Sequence, residues 1–379
     1  MATNDTEIPE RLVVENIEIV FLVFVVSLAL ILNSMVFIQL LTNKKKTKPR
    51  PNNTIQKNSF FLFKLNLCIS DFCILLIYAT GKLFWLTTFE WKLGDTGCKI
   101  YKLLSSFSFY ANSNIIVAIA YDRFKVVYTS QIQGATSVIR VKCLLIACWL
   151  LAFLCALPQF FTWKTIQIGD NWDQCVTVFT NTTTPAIEQR ALFYEISHQL
   201  TVFWIPLLII LVCYLLIVVK LLSYNIKPSD MFSSDAFDNE ESYSLKSLPA
   251  GEQILLTAPI NSVRRWSTRI QKKVSTSTRN NSAHSTSEQR TFFPTWRTQL
   301  GSQVFRSACL IILTHVVLWL PYNTISATRF VNEEFYQKVM ENGGNFLEDL
   351  IIVNCFLNPL LYTNRKRAVR RNTPPIIVN

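Results

Sequence analysis

CKIYKLLSSFSFYANSNIIVAIAYDR, residues 98–123, is an apolar helix that begins just after a turn, LGDTG, and ends on an Asp-Arg pair. Lys102, Ser105, Phe109, Asn112 and Ile116 recur every three or four residues, so they share one face. That face is polar within a segment otherwise rich in Ile, Val, Leu and Phe. A polar stripe on a helix of membrane length looks inward, at other helices or at a water-filled cavity. The rest of the chain reads as the surroundings of that stripe.

Half of the 379 residues are apolar and 16% are charged, and 14 prolines with only 9 glycines argue against a fibrous or low-complexity chain. Continuous apolar runs of membrane-spanning length define a polytopic helical membrane protein. Seven spans are predicted, at 17–41, 60–86, 98–127, 141–163, 193–222, 303–329 and 346–363. The expected fold is all-α, a seven-transmembrane helix bundle with a short amphipathic helix on the inner leaflet after Tyr362. Five segments follow: an extracellular tail (1–16), helices one to five (17–222), a long cytoplasmic loop (223–302), helices six and seven (303–363) and a basic tail (364–379).

A net charge of +12 suggests nucleic acid at first sight, but its distribution gives a different answer. Lys44, Lys45, Lys46 and Lys48 follow span one, Arg123 to Lys142 bracket the loop between spans three and four, and Arg264 to Lys273 lie between spans five and six. Arg365, Lys366 and Arg367 follow span seven, whereas the N-terminal tail carries Asp5, Glu7, Glu10 and Glu15. Positive charge marks the cytoplasmic side, so the N-terminus is expected outside and the C-terminus inside, in the plasma membrane. No nucleic-acid partner is implied. The first residues do not have a signal-peptide pattern, and span one is expected to act as the insertion signal.

Of the ten cysteines, eight fall inside spans, where they pack as small apolar residues. Cys98 and Cys175 lie at the outer, oxidising face, and they are expected to form a disulfide between the top of span three and the loop after span four. Sequons at Asn4 and Asn181 face the same side and are candidate glycosylation sites.

Asn33 lies in span one, and Asn66 and Asp71 lie in span two within LNLCISD. A lone carboxylate near mid-membrane is costly and is a functional-site hypothesis. Asn33, Asn112, Asn354 and Asn358 are its candidate partners, and several oxygens around one carboxylate suit a small hard cation. The alternative is a protonated Asp71 bonded to neighbouring amides. Pro321 in span six and Pro359 in span seven interrupt their helices. Residues 223–300 are rich in Ser, Thr, Asn and basic residues and read as a mostly disordered tether.

Taken in order, these residues resemble the rhodopsin-like family of G-protein-coupled receptors. The landmarks are Asn33, Asp71, Cys98, Asp122-Arg123-Phe124, Trp149, Pro206, Tyr214, Trp319-Leu320-Pro321-Tyr322 and Asn358-Pro359-Leu360-Leu361-Tyr362. Phe89-x-Trp91-x-Leu93-Gly94, Lys102, WLPYN and NPLLY look like the gonadotropin-releasing hormone, adipokinetic hormone and vasopressin-like group, in a divergent, invertebrate form. Departures include Phe124 for Tyr, His315 for Phe and Gly301 where an acid would restrain Arg123.

The resemblance implies a receptor, not an enzyme, with an outer agonist cavity and an inner cleft for a heterotrimeric G protein. Asp122, Arg123, Tyr214, Pro321 and Tyr362 would form the switch, and Asp71, Asn112, Asn354 and Asn358 an allosteric sodium pocket, with Asp71 the metal ligand. No other cofactor is implied. Arrestin, receptor kinases and membrane lipid would be further partners. Ser105 stands where amine receptors have an aspartate, and span seven lacks the lysine opsins need. Outer helix ends offer both signs, Lys82, Lys102 and Arg329 against Glu195, Glu348 and Asp349. Mixed charge among aromatic walls suits a short peptide. The expected ligand contacts are Lys102, Ser105, Phe109, Gln159, Glu195, His198, Gln199, Trp319, Tyr322, Asn323 and Glu348. The bland reading of each charge is snorkelling to the headgroups, above all for Lys82 and Arg329. A chemosensory receptor for small molecules, or a seven-span transporter or channel, is the alternative, although no internal repeat is visible.

Overall fold

The structure, a computed structural model, describes residues 11, 13–46, 54–129, 135–168, 172–180, 184–225 and 303–363. Both sequons, Gly301, nearly all of the loop 223–302 and the basic tail with its expected inner-leaflet helix lie outside the described residues.

The seven spans are present. Span one is α1 (Val13–Lys46), and span two is α2 (Thr54–Cys73), a π-helical turn (Ile74–Ala79) and α3 (Thr80–Thr88). Spans three and four are α4 (Gly94–Thr129) and α5 (Ala135–Thr162). Span five runs through α6 (Pro185–Gln199), a π turn (Leu200–Trp204) and α7 (Ile205–Asn225). Span six is α8 (Gln303–Thr328), and a short helix, α9 (Glu333–Glu341), caps the next turn. Span seven is a 3-10 turn (Gly344–Asp349) continued by α10 (Leu350–Thr363). Six of the spans are long and apolar enough to cross a membrane, spans two and five being counted through their π turns. The seventh needs its 3-10 turn to approach the ~20 residues a bilayer requires.

Burial explains the arrangement. In its most apolar stretch span three is 72% buried, against 22–44% for the other five long spans. It packs on spans two, four, five and six and on the loop beyond span four, so its polar stripe can survive only as the lining of the interior. The outward faces of the remaining spans expose Leu, Ile, Val and Phe, as a lipid-facing surface must.

Two features depart from expectation. Span five begins at Pro185 rather than 193, because Thr184 and Pro185 supply a start signal ahead of a polar first turn. The loop after span four is not irregular: β1 (Trp163–Ile168) and β2 (Trp172–Thr177) form an antiparallel hairpin. The hairpin satisfies the backbone groups that a loop lying over the bundle would otherwise leave unpaired. Cys98 and Cys175 form the disulfide that ties β2 to α4. Tryptophans do the rest. Trp91 N donates to Asp173 O at 2.8 Å, Trp85 Nε1 to Gln174 Oε1 at 3.0 Å and Trp172 Nε1 to Phe89 O at 2.6 Å.

Candidate agonist cavity and buried polar clusters

At the disulfide end of the bundle a cavity of about 710 Å³ opens between spans two to seven and the hairpin. Its floor is Trp319, almost wholly buried, with Phe109 edge-on at 5.8 Å and Tyr78 edge-on to Phe109 at 4.7 Å. His315 lies one turn below, tilted against Trp319 at 4.6 Å and buried.

The wall between spans three, four and five is a hydrogen-bonded patch centred on Gln159. Its Oε1 accepts from Trp163 Nε1 at 2.8 Å and from the Tyr194 hydroxyl, and its Nε2 lies 3.2 Å from His198 Nδ1. An amide NH₂ only donates, so Nδ1 accepts and the imidazole carries its proton on Nε2. The Tyr110 hydroxyl sits 2.8 Å from the same Nδ1. On the opposite side Gln199 Nε2 donates to Ser326 Oγ, leaving its buried Oε1 without a partner. Tyr78 Oη and Trp319 Nε1 are likewise buried and without a partner among the described residues. Asn323 donates to Trp319 O at 2.8 Å, and Tyr322 completes the wall. All the expected ligand contacts, from Lys102 to Glu348, therefore line this one cavity.

Charge is handled in three ways. Arg329 pairs with Glu195 at 2.5 Å. Lys102 has no carboxylate within ion-pair distance among the described residues; its ammonium lies 3.9 Å from the Trp163 ring centre, 5.1 Å from Trp85 and 5.7 Å from Tyr101. Lys82 does not snorkel. Its Nζ lies 2.7 Å from Glu18 Oε1 and 2.6 Å from Asp349 Oδ1, with the three side chains only 13%, 4% and 1% exposed. Arg329 is no free snorkel either, since Glu195 holds it. Glu18 is a lone acid in an apolar span, a signal of an inward-facing charge that is legible in the sequence. Tyr78, Trp163, Tyr194 and Tyr336 also line the cavity and were not anticipated. Tyr78 lies on the π turn of span two and Trp163 at the start of the hairpin, neither of which has a sequence period of its own.

Deeper in the bundle Asp71 is fully buried and accepts from Asn112 Nδ2 at 3.0 Å and from Asn358 Nδ2 at 3.0 Å. Asn33 is not part of this shell. Its amide donates to Ala29 O and to Cys355 O, both at 2.9 Å, which joins span one to span seven. Among the described residues Asn354 makes no hydrogen bond with either polar atom, and the Oδ1 atoms of Asn112 and Asn358 are unpartnered too.

At the other end Arg123 is buried, with Nη2 2.5 Å from Asp122 Oδ2. Arg140 reaches the second oxygen of Asp122 at 3.2 Å. The Arg123 guanidinium also lies 5.6 Å from the centre of the Phe60 ring. Tyr214 Oη is 3.7 Å from Cys309 Sγ, and Pro321 stands inside α8. The side chain of Tyr362 lies outside the described residues.

A helical bundle of this order, its disulfide and its buried Asp-Arg pair define a seven-transmembrane receptor. The chain belongs to the rhodopsin family of seven-transmembrane receptors, whose family model matches residues 32–362. It is a G-protein-coupled receptor, a multi-pass membrane protein and not an enzyme. It is 30% identical to the G-protein coupled receptor daf-38 of Caenorhabditis elegans, over 79% of each chain. It is 25% identical to a gonadotropin-releasing hormone receptor of Octopus vulgaris, over 82% of this chain and 65% of that receptor. It is 28% identical to cephalotocin receptor 1 of the same species, over 39% of this chain and 35% of that receptor.

Proposed function

We propose that the receptor lies in the plasma membrane with its N-terminus outside and binds a short peptide in the cavity above Trp319. The carrying observation is that cavity. It is deep, walled by aromatic rings, and lined by charges of both signs together with unpartnered donors and acceptors. A peptide offers the matching set, because every residue brings one amide donor and one carbonyl acceptor. Relatives named for gonadotropin-releasing hormone and cephalotocin support the same reading.

Agonist contact with Trp319 would act just below Pro321, where span six lacks a backbone hydrogen bond and bends at least cost. Outward movement of span six would open a cleft beside Arg123 for a heterotrimeric G protein, with Tyr214 and Tyr362 holding the extended arginine. Arrestin and receptor kinases would engage the Ser- and Thr-rich loop 223–302.

The test is calcium and cAMP signalling in cells expressing the receptor, challenged with amidated neuropeptides. Saturable activation by one peptide, lost in Lys102→Ala at equal surface expression, is expected. Silence to all peptides, with constitutive signalling that Arg123→Ala abolishes, would favour a small-molecule chemosensor, for which a cavity of about 710 Å³ is also of suitable size.

The Asp71 cluster fits an allosteric sodium ion. One carboxylate and the unpartnered amide oxygens of Asn112, Asn354 and Asn358 make an all-oxygen donor set. Sodium would hold spans two, three and seven in their resting arrangement. Replacing sodium by N-methylglucamine is expected to raise agonist affinity in the wild type and to leave Asp71→Asn unchanged.

A further inference from the structure

The ionised side chains that line the cavity are not equally provided for. Glu188 and Glu333 are exposed at its mouth, where water solvates them. Arg329 and Glu195 neutralise each other. Lys102 rests its ammonium on three aromatic rings, which compensate a cation electrostatically. Glu348 has neither arrangement. Among the described residues no cation lies within 4.0 Å of its carboxylate.

The adjacent wall deepens the imbalance. Lys82 is the cation on that side, and both Glu18 and Asp349 already hold it. Glu348 is the third carboxylate in the field of that ammonium and the one that does not touch it. Lys82 and Lys102 are both within Coulombic range of Glu348 but beyond ion-pair distance, the first held by the other two carboxylates and the second seated on its rings. The phenols of Tyr78, Tyr101, Tyr322 and Tyr336 line the same cavity and lie in the field of Glu348. A carboxylate with no cation in ion-pair contact, among aromatic rings, attracts alkylammonium and guanidinium groups, through charge and through the ring faces together.

We propose that Glu348, which shares the cavity with Tyr78, Tyr322 and Tyr336, receives a cationic group of the agonist, an arginine or lysine side chain or a free amine. The agonist is therefore basic at the end that enters between spans two, six and seven. This rests on the reading of the cavity as the agonist site and adds the charge class of its occupant.

The experiment uses purified full-length receptor and two fragments of equal shape, N-acetylarginine amide and N-acetylcitrulline amide. The arginine fragment should raise the melting temperature in a saturable way and the citrulline fragment should not. Glu348→Gln should abolish the difference and Glu348→Asp should keep part of it. Equal effects of the two fragments on the wild type, or a preference that survives in Glu348→Gln, overturn the proposal. Should Glu348→Gln fold poorly, the wild-type comparison and Glu348→Asp decide it. In cells, peptides carrying arginine should be at least tenfold more potent than the same peptides carrying citrulline. An intact fragment preference with no active peptide would keep the cation site and remove the peptide reading. Active peptides with no arginine preference in either assay would do the reverse.

Discussion

The guanidinium of Arg123 is held by two groups of different strength, and a second arginine weakens one of them. Asp122 supplies a buried ion pair at 2.5 Å, Phe60 a ring face at 5.6 Å, and Arg140 competes for the far oxygen of Asp122. Asp122 thus divides its charge between two arginines, and at 25% exposure Arg140 is the more hydrated of them. The contribution of Phe60 then matters more. Between two buried groups a ring–cation contact stabilises by roughly 1–2 kcal/mol, so Phe60→Leu should raise ligand-independent G-protein activation by roughly five- to thirtyfold while Phe60→Tyr does not. Nucleotide exchange on a co-expressed G protein, at matched surface levels, measures it.

At the scale of elements, the hairpin after span four is what makes the cavity a pocket rather than an open groove. It is held by the disulfide and by indole donors on two segments, and its first residue, Trp163, also touches the Lys102 ammonium. Cys98 and Cys175 are separated by 77 residues, so loop closure alone accounts for about 4.5 kcal/mol in the chain-entropy view. Cys98→Ser and Cys175→Ser should lower surface expression and melting temperature to the same extent, and the double variant should be no worse than either. A clearly additive loss would mean that the two thiols act separately. The π turns in spans two and five belong to the same scale. Each inserts a residue into a helix beside the cavity and carries a lining residue there, Tyr78 in one and Val202 in the other.

Across the whole molecule, Lys82 is the tie that joins spans one, two and seven at the disulfide end, as Asn33 joins spans one and seven lower down. Removing the lysine would strand two nearly buried carboxylates. Lys82→Met should therefore destabilise the receptor by ~3–5 kcal/mol, read as a large fall in melting temperature. Adding Glu18→Gln and Asp349→Asn should recover most of that loss, because the cost lies in the uncompensated charge rather than in the missing pair. Failure of the triple variant to recover would show that the bridge itself holds the spans together.

The sequence alone settled the class of fold, because length and hydropathy fix how many times a chain can cross a bilayer, and the polar stripe on span three had nowhere to face but inward. It also nominated Lys102, Ser105, Phe109 and Glu348, since helical period and distance from a span's end place each residue on a face and at a depth. Tertiary structure decided what each charge does. Whether Lys82 reaches solvent or two carboxylates, and whether Asn33 or Asn112 meets Asp71, depends on distances between helices far apart in the chain. The hairpin and the π turns were equally out of reach. Both are set by long-range contacts, the disulfide, the tryptophan donors and the packing against span three, which leave no periodic trace in the residues that form them.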